Sequence, residues 1–202
     1  MNAAMAQTEL SETKIFPLSS ASEELLWIRE IKDTGSESAF TNLMKKYQER
    51  VYWLVRRTVL SHDDADEITQ EVFITVYEKL YQFREDSQFF TWLYRITTNK
   101  IFLWLRKQKI KQMTGLENIS ELLASTEADA EEKLISVEWN NSLKTAIEKL
   151  PEKQRLVFNL RYYDELPYEQ ISEILNTSVG GLKANYFHAV QKIKETMEHE
   201  NL

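Results

Sequence analysis

Between Asp63 and Lys111 the chain changes charge without changing period. The segment opens as DDADEITQEVFITVYEKL and closes as TWLYRITTNKIFLWLRKQKIK, and both halves repeat their apolar residues at helical spacing. With Asp63 as origin and ~100° per residue, Asp63, Glu67, Glu71 and Glu78 fall within roughly 80° of one another. Ile68, Val72, Phe73, Val76, Tyr77 and Leu80 take the opposite side. The first helix thus has one core face and one carboxylate stripe. Like charges along that stripe repel weakly, a cost that a basic partner would relieve.

The second half inverts the pattern. Trp92, Arg95, Asn99 and Arg106 lie within roughly 60° on the wheel, while Leu93, Tyr94, Ile101 and Leu105 turn toward a core. No acidic residue interrupts Trp92 to Lys111. Cations neutralise phosphates, ring faces accept unstacked bases, and amides and guanidinium groups read base edges. The preceding loop, YQFREDSQFF, carries Tyr81, Phe83, Phe89 and Phe90, and such a loop can hold a base drawn out of a duplex. Phe89, Phe90 and Trp104 are read as core residues, and Trp92 as divided between core and nucleic acid.

Only 4 glycines and 3 prolines punctuate 202 residues, too few for a sheet-rich fold. The expected fold is all-α: two small helical domains joined by a flexible acidic linker, the C-terminal domain a helix-turn-helix. The divisions are a mobile tail over 1–20, a first domain over 21–112, the linker over 113–135 and a second domain over 136–202. A first helix runs from Ser22 to Lys32 and ends at Asp33-Thr34-Gly35-Ser36. The next carries Phe40, Leu43, Met44, Tyr47, Val51, Leu54 and Val55. The linker is marked by Glu117, Glu121, Glu127, Asp129, Glu131 and Glu132 against the single cation Lys133.

Near the C-terminus, Leu182, Tyr186, Ala189, Val190, Ile193 and Met197 form one apolar stripe. A short helix from Tyr168 to Leu175 precedes it across Asn176-Thr177-Ser178, which supplies an N-cap. The pair fits a helix-turn-helix, whose second helix enters the major groove by its N-terminal end. Gly180 and Gly181 permit close approach to a phosphate backbone. Lys183 and Lys192 suit phosphates, and Ala184, Phe187 and His188 face base edges.

Charge and composition exclude several functions. The net charge of −7 argues against an unaided general DNA binder. Local basicity within an acidic chain points instead to DNA binding that depends on a larger partner. With 0 cysteines there is no disulfide or thiolate chemistry. His62, Asp63, Asp64 and Asp66 spread around their helix rather than converging on a metal. No catalytic cluster or cofactor motif is present. No run reaches the roughly 18 apolar residues of a membrane span, so no direct membrane insertion is expected.

Taken in order, DADEITQEVF, FFTWLYRITTNKIFLWLRK and LPEKQRLVFNLRYYDELPYEQISEILNTSVGGLKANYFHAVQKIK resemble the bacterial RNA polymerase sigma factors of the extracytoplasmic-function (ECF) group. The resemblance spans about Phe40 to Met197. It implies that Asp66, Glu67, Gln70, Glu71 and Phe73, with Asp63 at the head of the stripe, dock on the basic coiled coil of the core polymerase clamp. It implies that Phe83, Arg84, Ser87, Trp92, Arg95, Asn99, Lys100 and Arg106 capture and melt the promoter's minus-ten element. Ser178, Gly180, Gly181, Lys183, Ala184, Phe187, His188 and Lys192 would read the minus-thirty-five element as duplex. It further implies a cytoplasmic bacterial protein without cofactor or catalysis of its own, and an anti-sigma partner, often at the inner membrane. Gly181 and Leu182 stand where the family often has threonine and a β-branched residue, so the minus-thirty-five sequence is not read from this helix. A free-standing helix-turn-helix regulator is the competing reading; it would bind operator DNA without polymerase.

Overall fold

The computed structural model describes residues 20–114 and 142–200. Every regular element among them is helical: α1 Ser20–Thr34, α2 Glu37–Val59, α3 His62–Lys79, a 3-10 turn Leu80–Gln82, α4 Phe89–Thr114, α5 over residues 142–148, α6 Glu152–Tyr162, α7 Tyr168–Leu175 and α8 Val179–Glu200. The all-α expectation holds, with one group of helices on each side of residues 115–141. The expected tail and linker lie almost wholly outside the described residues. At their edges α1 already begins at Ser20 and α4 continues through Thr114, each a residue or two beyond the expected boundary.

By contact the chain divides after Leu43. In the first unit, α1 ends where Gly35 takes φ +68 and its N–H donates to Ile31 O at 2.9 Å, a left-handed cap that glycine adopts without strain. Ser36 then opens α2, its Oγ accepting from Ala39 N at 3.3 Å. Ile28, Ile31, Ala39 and Leu43 are buried.

In the second unit, α2 buries Tyr47, Val51, Leu54 and Val55, α3 buries Ile68, Val72 and Val76, and α4 buries Leu93, Tyr94, Ile101 and Leu105. Each large apolar side chain removed from water contributes about 1.5–3 kcal/mol. These residues were expected in the core and are buried there, but Tyr77, also expected on the core face of α3, is 45% exposed, and Phe90 and Trp104 are half-buried. Helices α6 and α8 pack around Phe158, Ala189, Ile193 and Met197, with Ala146, Ile147 and Leu150 closing the cluster. Between α6 and α7, Glu165 takes φ +54 and Leu166 folds back, its N–H donating to Leu160 O at 3.1 Å. Asn176 ends α7 in the left-handed region at φ 49, which asparagine tolerates better than most residues. No described helix is long and apolar enough to cross a membrane.

Candidate polymerase and promoter surfaces

Helix α3 begins at a defined cap. Ser61 Oγ accepts from Asp64 N at 3.3 Å, and Asp63 and Asp64 occupy the first turn, where negative charge suits the helix dipole. Asp63, Asp66, Glu67, Gln70, Glu71 and Glu78 are all exposed, so the carboxylate stripe faces solvent. Phe73 does not: it is only 8% exposed. As a docking residue it is corrected to a packing residue that holds the stripe outward. The reason is its place on the same face as Val72 and Val76.

Two polar bridges join α3 to α4. Trp104 Nε1 donates to Asp64 Oδ1 at 2.9 Å, and Lys100 Nζ lies 2.9 Å from Glu71 Oε2. Position 64 meets 104 and position 71 meets 100, so the two helices run antiparallel. The acidic stripe and the basic helix are therefore side by side. Lys100, expected on DNA, and Glu71, expected on polymerase, here neutralise each other.

Ahead of α4, Phe83 is 3% exposed and packs against Phe89 and Trp92, with ring centroids 5.6 and 5.4 Å away. It too is corrected from a contact residue to a packing residue, since its neighbours enclose it. It seats Trp92, which stays half-buried. Arg84, Arg95, Asn99 and Arg106 are exposed and Ser87 is half-buried. Arg95 is nevertheless engaged: its Nη2 donates to Glu173 O on α7 at 3.0 Å.

The sequence reading missed a cluster built from three distant segments. Arg50 lies over the Phe90 ring at 4.8 Å and the Tyr94 ring at 6.0 Å. Arg57 lies over the Tyr163 ring at 4.1 Å. Asp164 sits among Arg50, Arg57 and Tyr94, and burial raises its carboxyl to about 6 while both guanidinium groups oppose the rise. Burial, then the Asp164 charge, also pushes the Tyr94 hydroxyl upward. Neither Tyr94 Oη nor Asp164 Oδ2 completes a well-formed hydrogen bond. Only the odd run of tyrosines, Tyr162-Tyr163 before Asp164, hinted at this in sequence.

In α8, Leu182 and Ala189 are fully buried and Ile193 and Met197 nearly so. Ser178 caps the helix, accepting from Gly181 N at 3.2 Å. Lys183, Ala184, Phe187, His188 and Lys192 all lie exposed on the outward side. Phe187 is 59% exposed, a large apolar ring with no core to fill. A Cβ added at Gly180 would meet nothing within 4 Å among the described residues, so no packing among them requires glycine there. His62, weighed above as a metal ligand, instead pairs with Tyr52 Oη at 2.8 Å and Asp66 at 3.6 Å.

Comparisons with known proteins agree with this layout. The family model for Sigma-70 region 2 matches residues 43–110, and that for Sigma-70, region 4 matches residues 140–193. The chain is 32% identical to the ECF RNA polymerase sigma factor SigW of Bacillus subtilis (strain 168), covering 84% of this chain and 94% of that one. It is 35% identical to the ECF RNA polymerase sigma-E factor of Escherichia coli (strain K12), covering 81% and 89%. Its fold is similar to that of the sigma factor RpoE, solved with the anti-sigma factor NepR from Bartonella quintana: TM-score 0.63, 19% identity, 79% of this chain and 96% of that chain. With both regions present in order and relatives matched over nearly their whole length, the chain belongs to the ECF family of RNA polymerase sigma factors, which bind core RNA polymerase and direct it to promoters to begin transcription.

Proposed function

We propose a division of labour among these surfaces. The stripe of Asp63, Asp66, Glu67, Gln70 and Glu71 docks on the basic clamp coiled coil of core polymerase. Arg84, Trp92, Arg95, Asn99 and Arg106 work on the minus-ten element, with Trp92 offered to unstacked bases and the cations to phosphates. Ser178, Gly180, Gly181, Lys183, Ala184, Phe187, His188 and Lys192 meet the minus-thirty-five element as duplex. Residues 21–112 form the first functional domain and residues 136–202 the second. Bond-forming chemistry belongs to the polymerase.

The observation that carries this reading is the antiparallel α3–α4 pair. The bridges 64–104 and 71–100 set a solvent-facing acidic stripe beside a basic, ring-bearing face. One face suits a cationic protein and the other suits strand-separated DNA. An anti-sigma protein is a further proposed partner, by analogy with the solved RpoE complex.

In vitro transcription with core enzyme tests the scheme. Trp92→Ala and Asn99→Ala should reduce permanganate reactivity of promoter thymines while polymerase binding and duplex minus-thirty-five recognition persist. Unchanged reactivity in both variants would remove the melting role from α4.

A further inference from the structure

Beside the entry end of α8, three helices bring two cations onto one ring. Arg161, in the last turn of α6, places its guanidinium carbon 5.2 Å from the Tyr168 ring centroid. Lys183, near the start of α8, places its ammonium 5.7 Å from the same centroid. Both distances fall within the roughly 6 Å over which a ring face attracts a cation. Tyr168 is itself the first residue of α7.

The ring is anchored. Tyr168 meets Tyr186 edge-on, with centroids 6.3 Å apart and planes at 80°. Tyr186 stacks on Phe158 at 5.8 Å and 12°, and Phe158 is buried in the core between α6 and α8. A chain of rings thus ties the surface phenol to the packed interior. Arg161 is held a second time: its Nη1 donates to Leu166 O at 3.0 Å, in the turn before α7. That bond orders the long side chain and leaves further guanidinium N–H donors for a ligand.

Two like charges gathered on one ring repel each other. Among the described residues, neither Arg161 nor Lys183 forms an ion pair with a carboxylate. An anion between them would remove the repulsion and gain both charges at once. Phosphate suits the pair, since a guanidinium grips its oxygens as a fork and an ammonium as a point charge. The position of the pair names the source of that phosphate. The second helix of a helix-turn-helix enters the groove by its N-terminal end, and side chains flanking that end meet the sugar-phosphate backbone.

We propose that Arg161 and Lys183, aligned by the Tyr168 ring, clamp one backbone phosphate of the promoter duplex beside the minus-thirty-five element. The proposal rests on the assignment of α8 to that duplex and adds a contact from α6, outside the helix-turn-helix pair. Tyr168 is a positioning residue: it orders both cations before DNA arrives, so less side-chain freedom is lost on binding. A phosphate contact carries no base information. The clamp therefore sets affinity and register and leaves base choice to other residues of α8.

The test uses holoenzyme assembled from core polymerase and the full chain. The probe is a duplex promoter selected by wild-type holoenzyme from a random-sequence pool, titrated across a salt series. Lys183→Gln and Arg161→Gln should each reduce the slope of log K against log salt by about 0.9, with equal loss on selected and scrambled minus-thirty-five sequences. Arg161→Lys should keep the slope. Tyr168→Leu retains both charges and should weaken binding about two- to fivefold, whereas Tyr168→Phe keeps the ring and should bind as wild type does. Neutral methylphosphonates, substituted one at a time in the backbone, locate the clamp: one position should weaken wild type and leave the Arg161→Gln, Lys183→Gln double variant unchanged. Wild-type slopes in both single variants, or no position that distinguishes wild type from the double variant, would overturn the clamp. Thermal melting scores folding. If Arg161→Gln does not fold, a wild-type slope in Lys183→Gln together with full binding by Tyr168→Leu overturns it instead. If wild-type holoenzyme bound the scrambled element as tightly as the selected one, the assignment of α8 itself would fall, and the clamp with it.

Discussion

Reversing the charge of Glu67 and Glu71 separates docking from folding, because the two residues differ in what they do inside the chain. Glu67 is exposed on the stripe, and Glu67→Lys should change stability by no more than about 0.5 kcal/mol. Glu71 lies 2.9 Å from Lys100, the two side chains being 50% and 26% exposed. An exposed pair of this kind contributes roughly 0.2–1 kcal/mol. Glu71→Lys loses that and sets two lysines together, for a total cost of about 1–2 kcal/mol and a melting temperature lower by roughly 2–8 °C. Close charge pairs across protein interfaces couple by roughly 1.5 kcal/mol or more, so each reversal should weaken polymerase binding about tenfold and the double variant about a hundredfold. Titration of labelled protein with core polymerase at fixed salt, beside thermal melting of the same samples, provides both numbers. Adding Lys100→Glu to Glu71→Lys should restore the lost stability but not the lost affinity. If Glu67→Lys binds as wild type does, the stripe is a solvated face and the docking assignment is wrong.

Three further outcomes are expected. Gly180→Ala should stabilise the fold by about 0.5–1 kcal/mol, since the added methyl meets none of the described residues and alanine is the better helix former. The same change should weaken duplex minus-thirty-five binding several-fold; equal affinity in a mobility-shift titration would mean that no backbone approach depends on this glycine. Leu182→Ala, at a fully buried position, should cost about 2–5 kcal/mol in denaturant unfolding, and a cost under about 1 kcal/mol would show that α7 and α8 share no packed core. Asp164 is protonated more readily in the folded chain than in the unfolded one, with its carboxyl at about 6 rather than 3.8. Its contribution is therefore present at low pH and lost as pH rises through about 6. The stability of Asp164→Asn relative to wild type should grow by roughly 2–3 kcal/mol between pH 4 and 7.5. A difference that stays flat across that range would show that the site does not favour the neutral carboxyl.

Much of this architecture was legible in the residues. Helical period placed Ile68, Val72, Leu93, Ile101, Leu182 and Ala189 in cores, and each is buried. Asn176-Thr177-Ser178 was expected to supply a cap for the last helix, and within it Ser178 accepts the backbone hydrogen bond. The errors at Phe73 and Phe83 came from the resemblance rather than from the period, which had placed Phe73 on the core face. Phe73 and Phe83 carry chemistry that suits a contact surface, yet both are enclosed, because an aromatic ring that finds a packed neighbour gains more from leaving water than from waiting for a partner. A family motif records that such a residue matters without saying whether it touches the partner or supports one that does.

Sequence alone determined the helices, their apolar faces, the opposed charges of α3 and α4, and the order of the two sigma regions. The helices, their faces and their charges follow from neighbours three or four residues apart on one helix, a relation that the chain carries wherever it folds, whereas the order of the two regions rests on the resemblance of whole segments to the family. Tertiary structure alone decided which polar faces are covered. Arg95 meets Glu173 across 78 positions and Asn159 meets Thr58 across 101, and no local period encodes such a pairing. Whether an arginine on an exposed stripe is free for DNA or caps another helix depends on which surface the packed cores bring opposite it.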